Sequence, residues 1–169
     1  MVATVKVHEW NGISPGVVTI GITNINFGSK DAAELVAADY PIIAGQYSFE
    51  KWLKLVFNGN FNIIDNIKIW KESGVYKTNE GIQTNLISSG YLNATYTPGG
   101  PSENDSAIAI NTLPVAEPGS ANLGIGGSLT GYLVDEGSSD YLILQLMTTS
   151  YTEAGDTNRK SIKFQYDEQ

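Results

Sequence analysis

Ser48 to Gly74 reads SFEKWLKLVFNGNFNIIDNIKIWKESG, two apolar runs on either side of Asn58-Gly59. Both turn residues tolerate the positive φ of a type I′ turn, so the pattern predicts a β-hairpin. Two of the three tryptophans, Trp52 and Trp70, fall in this stretch, interleaved with Lys51, Lys54, Lys68 and Lys71. The reading sets the fold class as antiparallel β.

Outward from this stretch, turn residues punctuate the chain and the segments between them are alternating or continuously apolar. Val2 to Trp10 alternates Val, Thr, Lys and His against Ala, Val, Val and Glu, and Asn11-Gly12 with Ser14-Pro15-Gly16 closes it. Further strands are expected over Val17 to Phe27, Gly74 to Thr84, Ala107 to Leu113, Leu129 to Val134, Tyr141 to Ser150 and Ser161 to Tyr166. In the last of these, Ile162, Phe164 and Tyr166 alternate with Ser161, Lys163 and Gln165, as in a half-buried antiparallel strand. About eight strands with frequent turns predict an antiparallel β-sandwich or jelly roll. At most one short helix is expected, around Asp31 to Asp39, where Asp31 and Glu34 are spaced like a capping box before Tyr40-Pro41. Loops are expected over Ser88 to Ser106, with Tyr91 to Thr97 as a possible edge strand, and over Pro114 to Ser128. With no repeat, heptad or linker, residues 1 to 169 read as one domain.

A chain of 169 residues buries roughly 70% of its unfolded surface, enough for a core without metal or disulfide. It has no cysteine, which removes disulfides, thiolate metal sites and thiol nucleophiles together. MVATVKVHEW reads as a strand rather than a signal peptide, and no apolar run approaches the ~20 residues of a membrane span. The net charge of −8 is unevenly placed. Thr78 to Asn158 holds nine acids and no Lys or Arg, whereas Lys51 to Lys77 holds five lysines against Asp65 and Glu72. A long acidic half repels phosphate backbones and anionic lipid, so neither nucleic acid nor membrane is an expected partner.

Chemistry-bearing patterns are weak. His8 is the only histidine and lies in a strand, which reads as a surface position rather than part of a triad. Gly124-Ile125-Gly126-Gly127 lacks the Lys-Ser/Thr of a phosphate loop and reads as a turn before a strand. Glu50 and Asp65 would be the acids of a jelly-roll glycoside hydrolase, but Asp65-Asn66 reads better as a bulge or second turn. Asp135 to Asp140 is acidic enough for calcium yet lacks EF-hand spacing, so a solvated turn is preferred. Asn93-Ala94-Thr95 and Asn104-Asp105-Ser106 match the glycosylation pattern without a secretion signal beside them. No catalytic residue, cofactor or metal is therefore expected. Trp10, Trp52, Trp70, Tyr91 and Tyr96 would form either a sugar-stacking platform or core and subunit-contact material.

Three motif groups carry a family resemblance. Asn24-Ile25-Asn26-Phe27-Gly28-Ser29, Tyr40-Pro41-Ile42 and Tyr47-Ser48-Phe49-Glu50-Lys51-Trp52 come first. Phe57-Asn58-Gly59-Asn60-Phe61 and Asn66-Ile67-Lys68-Ile69-Trp70 follow. Last come a strand like Tyr141 to Met147, an Ala154-Gly155 turn and Phe164-Gln165-Tyr166-Asp167-Glu168. In this order the chain resembles virion structural proteins of tailed bacteriophages and related viruses, except over Ser88 to Ser128. The resemblance implies a β-sandwich capsid decoration protein on the outer capsid surface, made in the host cytoplasm. Its implied partners are the major capsid protein and copies of itself, by analogy a trimer. The expected contact residues are Lys51, Trp52, Lys54, Lys68, Trp70, Lys71, Tyr91 and Tyr96, aromatic anchors with a basic rim. Alternatives are a tail or baseplate component, a carbohydrate-binding sandwich, and a hydrolase using Glu50 and Asp65.

Overall fold

The computed structural model describes residues 2–96, 112–153 and 159–169. Among these are β1 (Thr4–Asn11), β2 (Val17–Ile20), β3 (Lys51–Asn58), β4 (Ile64–Ser73), β5 (Gly81–Ile87), β6 (Gly137–Ser138), β7 (Tyr141–Met147) and β8 (Ser161–Glu168). A first sheet runs β2-β1-β3-β7-β5, with β6 also paired to β3, and a second sheet is the ribbon β4-β8. All pairings are antiparallel. Of the expected features, Asn104-Asp105-Ser106, Ala154-Gly155 and nearly all of Ala107 to Leu113 lie outside the described residues.

The sheets pack face to face. Leu53, Leu55 and Phe57 of β3, with Leu142, Leu144 and Leu146 of β7, meet Ile64, Ile67 and Ile69 of β4 in one core. Ile162, Phe164 and Tyr166 of β8 join it from the expected side of that strand. The Tyr166 ring meets Phe57 edge-on at 5.0 Å. The chain is thus a nearly all-β antiparallel sandwich.

The Asn58-Gly59 hairpin does not form, because β3 and β4 belong to different sheets. Gly59 has φ +102° but Asn58 is not in the positive region, and a type I′ turn needs both. Each arm carries one apolar row. Stacking the two rows across the sandwich buries both, which edge-to-edge pairing would leave to a third layer.

Asp65-Asn66 is a bulge, as expected. The β4-β8 register shifts between Asp65 and Lys68, and Asn66 has φ +48°. The extra residue changes the parity of β4, so that Ile64 and then Ile67 and Ile69 all face the core.

Other expected elements shrink for local reasons. Val17 to Phe27 is strand only to Ile20, and β5 begins at Gly81 rather than Gly74. Leu129 to Val134 reduces to one bridge, in which Ile64 and Leu133 exchange backbone hydrogen bonds of 3.0 and 2.9 Å. Beside that bridge, the Asn122 side chain completes the edge of β4. It donates to Ile69 O at 2.9 Å and accepts from Ile69 N at 2.8 Å, as a paired peptide group would. The helix expected near 31–39 is a 3-10 turn, Ala37–Asp39. Asp31 does not cap it. Its carboxylate accepts from Asn11 Nδ2 (2.8 Å) and Gly12 N (2.6 Å), while Glu34 at φ +52° breaks any helical run.

Candidate interaction surface and the buried polar groups

The outer face of the first sheet carries a second, aromatic core. Trp52, Tyr141, Ile143 and Ile87 point outward from β3, β7 and β5, and Tyr91 from the following loop lies over them. Trp52 meets Tyr91 edge-on at 5.2 Å and Tyr141 at 5.6 Å, and Trp10 meets Tyr141 at 5.1 Å. Gly16 closes the side of this cluster. It has φ +80°, and a Cβ there would sit 2.7 Å from the Tyr91 ring, so a larger residue is excluded twice over.

Glu50 fastens the loop in place. Its buried carboxylate accepts from Trp52 Nε1 (3.0 Å), Thr95 N (3.1 Å) and Thr95 Oγ1 (3.0 Å), and Glu50 N donates to Thr95 O (2.8 Å). Tyr91 OH donates to Gly12 O at 2.7 Å, tying the same loop to the β1–β2 turn. Burial pushes the Tyr91 phenol up to about 12.

An unfolded tyrosine titrates near 10, so the folded state holds this proton more tightly. Its contribution is present below pH ~10 and is lost as pH rises through about 12. Wild-type stability should therefore fall steeply between pH 10 and 12, and Tyr91→Phe should fall less steeply over the same window. Urea midpoints against pH, with phenolate absorbance as the titration readout, test this.

On the inner face, Lys51 and Glu9 form a fully buried ion pair at 2.9 Å. Lys51 Nζ also donates to Ala32 O at 2.6 Å, and Asn11 Nδ2 donates to Glu9 Oε1 at 3.0 Å. Glu9 Oε2 finds no hydrogen-bond partner among the described residues. The pair and the Asn11–Asp31 contact hold the 31–35 segment against the sheet. The signal for it was parity. Glu9 continues the row Val5-Val7, and Lys51 continues Leu53-Leu55-Phe57, so two opposite charges end two apolar rows.

The residues expected at an interface divide by burial. Lys51, Trp52, Trp70, Lys71 and Tyr91 are buried within the single chain. Trp70 lies on the ribbon with Lys163 Nζ 5.3 Å from its ring. Lys71 donates to Gly74 O and stands 5.1 Å over Tyr76. Lys54 is half-buried over Tyr141 at 4.3 Å, where desolvation lowers its pKa against the pull of Asp140. Lys68 reaches Glu117 at 3.4 Å. Tyr96, 60% exposed and packed on Phe49 at 5.0 Å, remains on the surface. The 48–74 stretch thus buries both tryptophans on the outer faces of the two sheets, away from the core between them.

The chemical alternatives can be placed as well. Glu50 precedes β3 and Asp65 lies beyond its far end. Eight strand residues put them on the order of 25 Å apart, far beyond the roughly 5–9.5 Å of a glycosidase pair. His8 is half-buried on the outer face, tilted against Trp10 at 6.2 Å, and its pKa is lowered by burial and by Lys6. At the glycine turn, Gly127 N donates to both Asp140 oxygens, at 3.0 and 3.1 Å. A carboxylate already fills the position an anion would take. Glu136 accepts from Gly59 N at 3.1 Å, and Gly137–Ser138 pairs with β3, so the 135–140 stretch is a fastening. No group of three or more His, Asp or Glu that could hold a metal occurs among the described residues. Nor is any helix there long and apolar enough to cross a membrane.

Where the ribbon leaves the first sheet uncovered, a groove of about 1250 Å³ opens. Ile25, Phe27, Ile42, Ile82, Leu146 and Phe164 line it. Comparison with family models, with curated proteins and with solved structures found no match to this chain.

Proposed function

We propose that this chain is a non-enzymatic virion structural protein, a capsid decoration protein that binds the outer surface of a viral shell. The observation that carries the reading is how the polar side chains are used. Glu9, Glu50, Lys51 and Asp140 are spent on internal fastening. The accessible surface instead offers scattered apolar and aromatic groups, including Ile13, Ile20, Tyr96, Tyr132 and Tyr151. Apolar area of this kind is available for a partner to remove from water, the step that drives association. The resemblance of the motif order to virion structural proteins of tailed phages supports the same reading, and what it implies as partner is the major capsid protein. A carbohydrate platform is less well supported, since Trp52 and Trp70 are buried.

Purified protein mixed with assembled shells of the virus that encodes it should co-sediment saturably. Tyr96→Ala is expected to weaken binding about tenfold or more, as loss of an aromatic contact anchor does, with little change in thermal stability. Protein that stays entirely in the supernatant at saturating shell concentration would overturn the reading.

A further inference from the structure

Among the described residues, the first sheet is closed at one end and open at the other. At β5, Leu113 N donates to Ile82 O at 3.0 Å and covers the edge. At β2, the opposite end, no described residue pairs with the outer side. This strand is Val17-Val18-Thr19-Ile20, with Val17, Val18 and Ile20 exposed by 72, 40 and 67%. It has no charge, proline or bulge to keep an open edge from pairing, and its shortness, four residues, is its one guard.

We propose that β2 pairs antiparallel with β2 of a second copy, about a two-fold axis centred on Thr19. Register follows from the pleat, because residues directly opposite must lie on one face. Val18 stands opposite Trp10 and Ile20 opposite His8, so both lie on the outer face, while Thr19 lies with Glu9 on the inner one. A two-fold at Thr19 sets Val18 against Ile20 of the partner subunit, and Thr19 against Thr19 of the partner subunit. β-Branched and threonine pairs of this kind are favourable cross-strand neighbours.

The self-complementary register selects a second copy as the occupant. The strand is neutral, so pairing with itself opposes no like charges across the seam, and its apolar pairs are self-complementary. Two terms limit the affinity. A four-residue seam buries less than the roughly 800 Å² per partner of a stable interface, and two copies of net charge −8 repel. The dimer is therefore weak and tightens with salt. This contact does not depend on the proposed shell binding, and either can fail alone.

Sedimentation equilibrium of the full chain up to about 1 mM should show reversible dimer formation that strengthens with salt. Val18→Lys and Ile20→Lys, at exposed positions that leave the fold intact by circular dichroism, should raise the dissociation constant at least about tenfold. The chain has no cysteine, so Thr19→Cys offers a direct probe. On mild oxidation it should form a disulfide-linked dimer much faster than Val115→Cys, an exposed control elsewhere. A wild type monomeric to about 1 mM at high salt, or Thr19→Cys crosslinking no faster than Val115→Cys, overturns the proposal.

Discussion

Lys51→Ala will destabilise the fold by about 3–5 kcal/mol, because it leaves the Glu9 carboxylate buried without its counter-charge. The loss should appear as a lower urea midpoint with an unchanged slope, provided unfolding stays two-state. Replacing both partners separates this penalty from the worth of the pair. Glu9→Leu combined with Lys51→Met keeps volume and removes both charges, and is expected to match wild type or exceed its stability by up to about 4 kcal/mol. Glu9 Oε2, with no partner among the described residues, favours the stabilising side of that range. A double variant as unstable as Lys51→Ala would show that the hydrogen bonds to Ala32 and Asn11 matter more than the charges.

Trp52→Ala will cost about 3–5 kcal/mol, the range for deleting a large buried aromatic side chain. Trp52 is central to the outer cluster, with Tyr91 and Tyr141 edge-on against it and Nε1 bonded to Glu50. The substitution therefore removes both the floor under Tyr91 and one donor to the carboxylate that holds Thr95. Hydrogen exchange at the Thr95 amide should accelerate by more than the global destabilisation explains. Trp70→Ala provides the contrast. It removes a similar ring from the ribbon and should leave Thr95 exchange tracking global stability.

Strand existence was legible in the sequence where alternation or an apolar run was long and uninterrupted. β1 and β8 lie within a few residues of expectation because their residues alternate, and β7 because Tyr141 to Met147 is a nearly continuous apolar run. Pairing was not legible. The apolar rows of β3 and β4 state that each strand has a buried side, but not whether the two strands meet edge to edge or face to face. Asn58-Gly59 tipped the reading toward a hairpin, while the bulge at Asp65-Asn66 was readable from an acid interrupting an isoleucine series.

The basic character of 48–74 misled in a similar way. A lysine between Glu50 and Trp52 looks like a solvated rim, and its partner Glu9 lies 42 positions away in sequence. Long-range polar pairing of this kind is absent from any local window. Only the shared parity with two apolar rows pointed to it. Tyr91 is buried by the loop that carries it, and that loop is held by Glu50 and Gly12, neither of which composition singles out.

The most direct measurement of the proposed function is a cryo-EM reconstruction of the viral particle that this proposal expects to carry the chain. The account predicts density for the two-layer sandwich on the outside of the shell, in contact with the major capsid protein through a face that leaves Trp52 and Trp70 enclosed. Density confined to the tail, or a particle complete without this protein, would contradict it.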